Sequence, residues 1–248
     1  MRGKNLWIGY LLPGVIAAAV LAGCGNKTAD SQLPKTGSEE SVQDPAGQTA
    51  LQPVQDTEDT EFTQRDGSGN SILIAYFAVA ENSDVDAVSS ASVVTVNGGA
   101  EGRLQHLAKL IQEETGGELF SIQTAVDYPG DGGKLIDYAA EEQDQDTRPE
   151  ITNHIENLDQ YDVVFVGYPT WWYDLPQVMY SFFDEYNFAG KTIIPFNSHN
   201  GSRFSGTIET ITELEPGAKV LTDGFTVSER NVADAGDDIA DWVRSLDF

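Results

Sequence analysis

The chain is poor in cysteine, in basic residues and in histidine, and each scarcity closes off a class of function. Of 248 residues one is Cys, at position 24. A single thiol excludes an internal disulfide framework and a zinc centre built on several thiolates. Lys and Arg number 14 against 40 Asp and Glu, giving a formal net charge of −26. Sequence-independent nucleic-acid binding needs clustered cations to displace phosphate counterions, so the balance argues against a DNA or RNA partner. His106, His154 and His199 are widely spaced, and no pair has metal-ligand spacing. Ser202 lies outside any Gly-x-Ser-x-Gly pattern, so it is no nucleophile elbow. What the chain does have is 40% hydrophobic and 10% aromatic residues, enough for a real core.

The lone cysteine is explained by its position. Arg2 and Lys4 precede an apolar run over residues 6–21, interrupted by Pro13 and Gly14 and closing on Leu21-Ala22-Gly23-Cys24. This reads as an export signal over residues 1–23. Together with Gly25 and Asn26, the ending resembles a bacterial lipoprotein lipobox. The resemblance implies that Cys24 takes a diacylglyceryl group with palmitate-type chains and becomes the mature N-terminus. An uncleaved membrane anchor is the other reading, and Pro13-Gly14 and the small-residue ending weigh against it. Each buried methylene contributes about 0.8 kcal/mol, so two acyl chains hold a protein stably at a membrane. The expected location is the extracytoplasmic face of the bacterial cell membrane.

Residues 24–70 are dominated by Gly, Ser, Thr, Gln, Pro and acidic side chains, with isolated apolar residues. Such a stretch cannot bury enough apolar surface to offset its ordering entropy, so it is expected to be a disordered acidic tether that sets reach from the bilayer. Residues 71–248 keep 9 Lys and Arg against 31 Asp and Glu, a net charge of −22. Most of the acidity therefore belongs to the folded domain, as a docking surface for a basic partner would require.

From residue 71 the pattern changes. Residues 71–77 form a nearly continuous apolar run of strand length, as in a central parallel strand covered on both faces. Leu104, Leu107, Ala108, Leu110 and Ile111 then follow helical spacing up to a stop at Gly116-Gly117. Strands are expected over 118–123, 162–167, 191–196 and from 219, with helices around 135–142, 178–183, 204–214 and 232–246. Five alternations of strand and helix imply an α/β fold, an open parallel sheet with helices on both faces. Ligands of such sheets bind beyond the carboxyl ends of the strands, where strand order reverses. The loops after the first, third and fourth strands are therefore the places for a site.

The loop after the third strand reads Tyr168-Pro169-Thr170-Trp171-Trp172-Tyr173-Asp174-Leu175-Pro176. Two adjacent Trp residues between prolines put flat apolar faces on a stiffened loop, although rings that merely plug the rim of the core would look the same. The loop after the fourth strand, Asn197-Ser198-His199-Asn200-Gly201-Ser202, carries hydroxyl and amide groups suited to the edge of a planar polar ring, or to an ordinary helix-capping turn. His106 is expected at a surface or rim. Glu141, Glu142, Asp144 and Asp146 are expected on a solvated helix face and loop, with a loose calcium site as the alternative.

These two loops and the alternation around them resemble the flavodoxin-like superfamily over residues 71–248. The resemblance implies a doubly wound five-stranded parallel sheet of strand order 2-1-3-4-5 and FMN as cofactor. By position, Trp171 or Trp172 would stack on the isoalloxazine, within a loop that includes Pro169, Thr170 and Tyr173. Asn197, Ser198, His199, Gly201 and Ser202 would meet its pyrimidine edge. The first loop departs from the pattern. The short Thr-Gly-x-Thr phosphate loop is absent, the helix starts only near Gly102, and Gly102-Arg103-Leu104 stands where similar proteins with a long insertion carry Gly-Asn-Thr. Gly102 and the Arg103 guanidinium remain for the phosphate, with Ser89, Ser90, Ser92 or Thr95 in place of the lost hydroxyls. Function would then be electron transfer to a basic redox protein or a small-molecule acceptor, with no catalytic residue of the chain's own. The alternatives are an FMN-dependent NAD(P)H-quinone type reductase and a binding protein that has lost FMN.

Overall fold

The structure is a computed structural model that describes Gly69 and residues 71–83 and 85–248. The expected signal segment, Cys24 and the tether lie outside the described residues.

β1 (Ile72–Tyr76) is buried along its whole length, as its unbroken apolar run requires. After a long insertion, α1 (Arg103–Thr115) buries Leu104, Leu107, Ala108 and Ile111 and ends at Gly116. Then follow β4 (Glu118–Ser121), α2 (Gly132–Asp144), β5 (Val163–Pro169), α3 (Gln177–Glu185), β6 (Thr192–His199) and α4 (Thr207–Leu214). The chain closes with β7 (Lys219–Val220), β8 (Phe225–Ser228) and α5 (Gly236–Ser245). The main sheet runs β4-β1-β5-β6-β7, with β8 also beside β6, and all of these pairs are parallel. That is the expected 2-1-3-4-5 order with its last position shared by two short strands.

Pro195 accounts for the split. Leu221 N donates to the Ile193 carbonyl at 2.9 Å. Two residues further along β6, Pro195 faces the same edge and has no N–H to offer. The ladder resumes at Phe196 paired with Phe225. β8 alternates buried and half-buried residues, a period-2 signal present in Phe225-Thr226-Val227-Ser228.

The insertion after β1 folds as a hairpin, β2 (Val93–Val96) against β3 (Gly99–Gly102). Asn97 and Gly98 connect the strands with φ of 51° and 80°. Positive φ at both positions is what a tight hairpin turn demands, and Asn-Gly meets it at little cost.

The sheet separates two cores. On one face Leu73, Ala75, Val164, Val166 and Ile193 meet Leu135 of α2, Val178, Met179 and Phe182 of α3, and Ile211 of α4. On the other, Ile72, Ile74, Phe165 and Ile194 meet Leu104, Leu107 and Ile111 of α1 and Ile239 and Val243 of α5. Complete burial of each such side chain contributes roughly 1.5–3 kcal/mol, so both faces hold the sheet.

Candidate functional site

At the carboxyl edge of the sheet the chain encloses a cavity of about 410 Å³, within the range that holds small-molecule ligands. Its wall comes from the insertion (Ala91, Ser92), from Arg103 at the start of α1, from the loop after β5 (Pro169, Thr170, Trp171, Trp172), from the end of β6 (Ser198, His199, Asn200) and from Glu229 beyond β8. One side of α2 completes it with Gly132, Leu135, Ile136 and Ala139.

The Trp loop is held by a two-residue turn. Trp171 N donates to the Asp174 carbonyl at 3.0 Å and Asp174 N to the Trp171 carbonyl at 2.8 Å. Trp172 and Tyr173 between them have φ of 47° and 67°. The left-handed region costs bulky residues roughly 1–2 kcal/mol each. The turn is anchored from outside. Trp172 Nε1 donates to the Ile136 carbonyl at 3.1 Å, and the Asp174 carboxylate accepts from Leu175 N at 2.8 Å and from the Tyr180 hydroxyl at 2.9 Å.

The two indoles have different environments. Trp171 stands edge-on to Phe77 and Tyr128 at centroid distances of 5.8 and 5.7 Å, so it is rooted in the core while lining the cavity. Trp172 is 50% exposed. Both indoles line the cavity, and Trp171 alone also packs edge-on to core rings.

A second set of bonds ties this loop to the one after β6. Thr170 N donates to the Ser198 carbonyl at 3.0 Å, and the Thr170 hydroxyl to the Arg203 carbonyl at 2.9 Å. Asn197, fully buried, donates through Nδ2 to Thr170 Oγ1 and to the Arg203 carbonyl. Its Oδ1 has no partner among the described residues. His199 Nδ1 accepts from Gly201 N at 2.9 Å, which leaves the ring hydrogen on Nε2. Burial and then the nearby Arg203 cation hold the His199 pKa below its ordinary value, so the ring is neutral near pH 7.

At the start of α1, Arg103 Nη1 donates to Glu229 Oε2 at 2.8 Å and Arg103 Nε to the Val93 carbonyl at 3.2 Å. The amides at this helix start are also engaged. Gly102 N donates to Gln105 Oε1 at 3.3 Å and Arg103 N to the Ser92 carbonyl at 2.9 Å.

Of the residues expected at the site, Arg103, Pro169, Thr170, Trp171, Trp172, Ser198 and His199 line the cavity. Gly102, Tyr173, Asn197, Gly201 and Ser202 are not part of its wall. Asn197 instead braces the two loops, and Tyr173 is 72% exposed. Of the serine and threonine candidates in the insertion, Ser92 reaches the wall and Ser89, Ser90 and Thr95 do not. The α2 residues carry no motif and were not foreseen. Glu229 was missed because β8, which delivers it, was not recognised as a strand.

Two expectations away from the cavity are corrected. Glu142 is 4% exposed rather than solvated, because it turns inward onto Tyr128. His106 is buried, and its Nδ1 meets Glu101 Oε1 at 2.7 Å.

A family model described as flavodoxin matches residues 93–246. No curated protein matches the chain. Among solved structures, a candidate flavoprotein from Bacteroides uniformis ATCC 8492 is 23% identical with a TM-score of 0.54, over 70% of this chain and 97% of that one. A second, from Bacteroides eggerthii DSM 20697, is 26% identical with a TM-score of 0.49, over 68% and 97%. A flavoprotein in complex with FMN from Lactobacillus acidophilus NCFM is 17% identical with a TM-score of 0.47, over 68% and 99%.

Proposed function

The chain belongs to the flavodoxin family, and from that premise we propose that its cavity binds FMN and that the domain carries electrons while tethered by a lipid on Cys24 to the outer face of the bacterial cell membrane. The observation that carries the reading is a cavity wall divided between aromatic and aliphatic residues and one guanidinium. A flavin mononucleotide has the same division, a flat ring system at one end and an anion at the other.

The residues suit that group. Trp171, Trp172, Leu135, Ile136 and Ala139 offer apolar surface to a ring and exclude water from it. Ser198 and the neutral His199, with hydrogen on Nε2, offer polar groups for its edge. Arg103 and the Ser92 hydroxyl lie in the wall for the phosphate. When bound, FMN would supply the electron-accepting chemistry, which the chain's own side chains lack. The protein's part is to hold the ring and set its electrostatic surroundings. A domain of net charge −22 disfavours added negative charge at the site and so favours a low potential. The same charge suits a basic redox partner.

The test is a titration of the mature chain with FMN. Quenching of flavin fluorescence and a rise in melting temperature are expected, and the absence of both would overturn the reading. For the anchor, the parent should take up labelled palmitate in cells and Cys24→Ser should not. Palmitate label retained by Cys24→Ser would reject Cys24 as the lipid site.

A further inference from the structure

The Arg103–Glu229 ion pair is part of the cavity wall, at the place where a ligand's charge must settle. We infer that Glu229 sets the affinity of the site for the FMN phosphate: it occupies Arg103 before the phosphate arrives and stands beside it as a like charge afterwards. The inference rests on the FMN reading above and goes beyond it by naming a residue that restrains binding.

The two sides of the cavity belong to different faces of the sheet. Trp171 and Leu135 pack with one core, whereas Leu104, next to Arg103, and Val227, two residues before Glu229, pack with the other. The apolar ring and the phosphate of one ligand therefore meet separate walls. Among the described residues of the wall, Arg103 is the only Lys or Arg, so the phosphate has one full positive charge to meet. His199 adds none, because burial and Arg203 keep it neutral.

That single cation is already engaged. Its Nη1 donates to Glu229 Oε2 at 2.8 Å, with the two side chains 23% and 28% exposed. Salt screens such a half-buried pair less than an exposed one. Glu229 is also placed by its own backbone, since its N–H donates to the His199 carbonyl at 2.8 Å and extends β8 alongside β6. A phosphate that takes Nη1 displaces this carboxylate and one that pairs through Nη2 stands beside it; in either case the backbone bond keeps Glu229 close, and two anions share one cation. The ring and the ribityl chain carry no charge and escape the conflict. Riboflavin, which lacks only the phosphate, therefore measures the affinity of the remainder.

The experiment compares FMN and riboflavin on the full chain in detergent at low ionic strength, by flavin fluorescence. Glu229→Gln is expected to tighten FMN about tenfold, or roughly 1.4 kcal/mol, and to change riboflavin by less than about twofold. Arg103→Gln is expected to weaken FMN by about tenfold or more and to leave riboflavin alone, and the double variant to return near the parent. Riboflavin binding serves as the folding check, and Glu229→Ala replaces Glu229→Gln if the amide disturbs the fold. An FMN-to-riboflavin affinity ratio that stays within about twofold of the parent, or falls, on loss of the Glu229 charge would overturn the inference while leaving FMN binding intact. If the parent binds neither flavin, the FMN reading falls and the inference with it.

Discussion

Trp171 stands edge-on to Tyr128, with ring centroids 5.7 Å apart and planes at 62°, and Tyr128 carries the contact inward to Glu142. The buried Tyr128 hydroxyl donates to both Glu142 oxygens at 3.4 Å, two long bonds. No cation pairs with Glu142 among the described residues. One aromatic ring thus separates the cavity wall from a buried carboxyl whose pKa burial has pushed up to about 7.

That carboxyl gives the domain a pH-dependent stability. Because the folded pKa is raised to about 7 while the unfolded chain titrates near 4.3, the folded state binds more protons between these values. Stability from this group is complete below about pH 4.3, falls as pH rises through about 7, and is constant above. Glu142→Gln should remove that slope and make the variant more stable at pH 8 by about 1–3 kcal/mol. Urea unfolding of parent and variant at pH 4.5, 6 and 8 measures the difference, and a difference independent of pH would refute the assignment.

Gly167 and Phe196 are register partners in β5 and β6, and the Phe196 ring lies over the glycine. A Cβ at 167 would sit 2.2 Å from Phe196 Cζ. Gly167→Ala should therefore destabilise by about 2–3 kcal/mol through overpacking. Combining it with Phe196→Leu, which removes the obstructing ring edge, should cost less than the sum of the two single changes. Denaturant unfolding of the four proteins tests this, and strict additivity would count against it.

Tyr173 has positive φ and most of its surface in water. Tyr173→Gly should stabilise the domain by about 0.5–1 kcal/mol, since glycine adopts this conformation without strain. Because Tyr173 lies off the cavity wall, FMN affinity should change by less than about threefold. Thermal melting and FMN titration give the two readouts, and a destabilised variant would show that the turn is not strained.

Asn197 braces the site without lining it. Asn197→Ala removes its donors to Thr170 and Arg203 and should cost about 1–2 kcal/mol. Trypsin cleavage after the exposed Arg203 should accelerate as the loop loosens, and FMN affinity should fall several-fold. Unchanged cleavage at Arg203 would mean that Thr170 alone holds the loop.

The fold was legible where burial leaves a pattern along the chain. β1 and β5 are buried on both faces and read as unbroken apolar runs, and α1 shows its helical stripe up to Gly116. The β2–β3 hairpin was also written in the sequence, in Val93 to Val96 followed by Asn97-Gly98, but the length of the insertion hid it. β8 is only four residues of alternating burial beyond a break, too short to stand out. Glu142 was misread because a charge on a helix gives no sign of which way it turns.

At the site, the sequence by itself placed the two loops beyond β5 and β6, because adjacent tryptophans and a run of hydroxyl and amide groups are local in the chain. It also determined the two-faced parallel sheet, through the alternation of apolar runs and stripes. Only the tertiary structure decided that Trp171 roots in the core while Trp172 reaches solvent. It likewise decided that Asn197 serves as a brace and that Arg103 meets Glu229 across 126 positions of sequence. Those outcomes depend on the sheet order and on Pro195 splitting the last strand position, so that β8 runs on to set Glu229 beside His199. Contacts of that range leave no periodicity in the chain and exist only once the sheet has assembled.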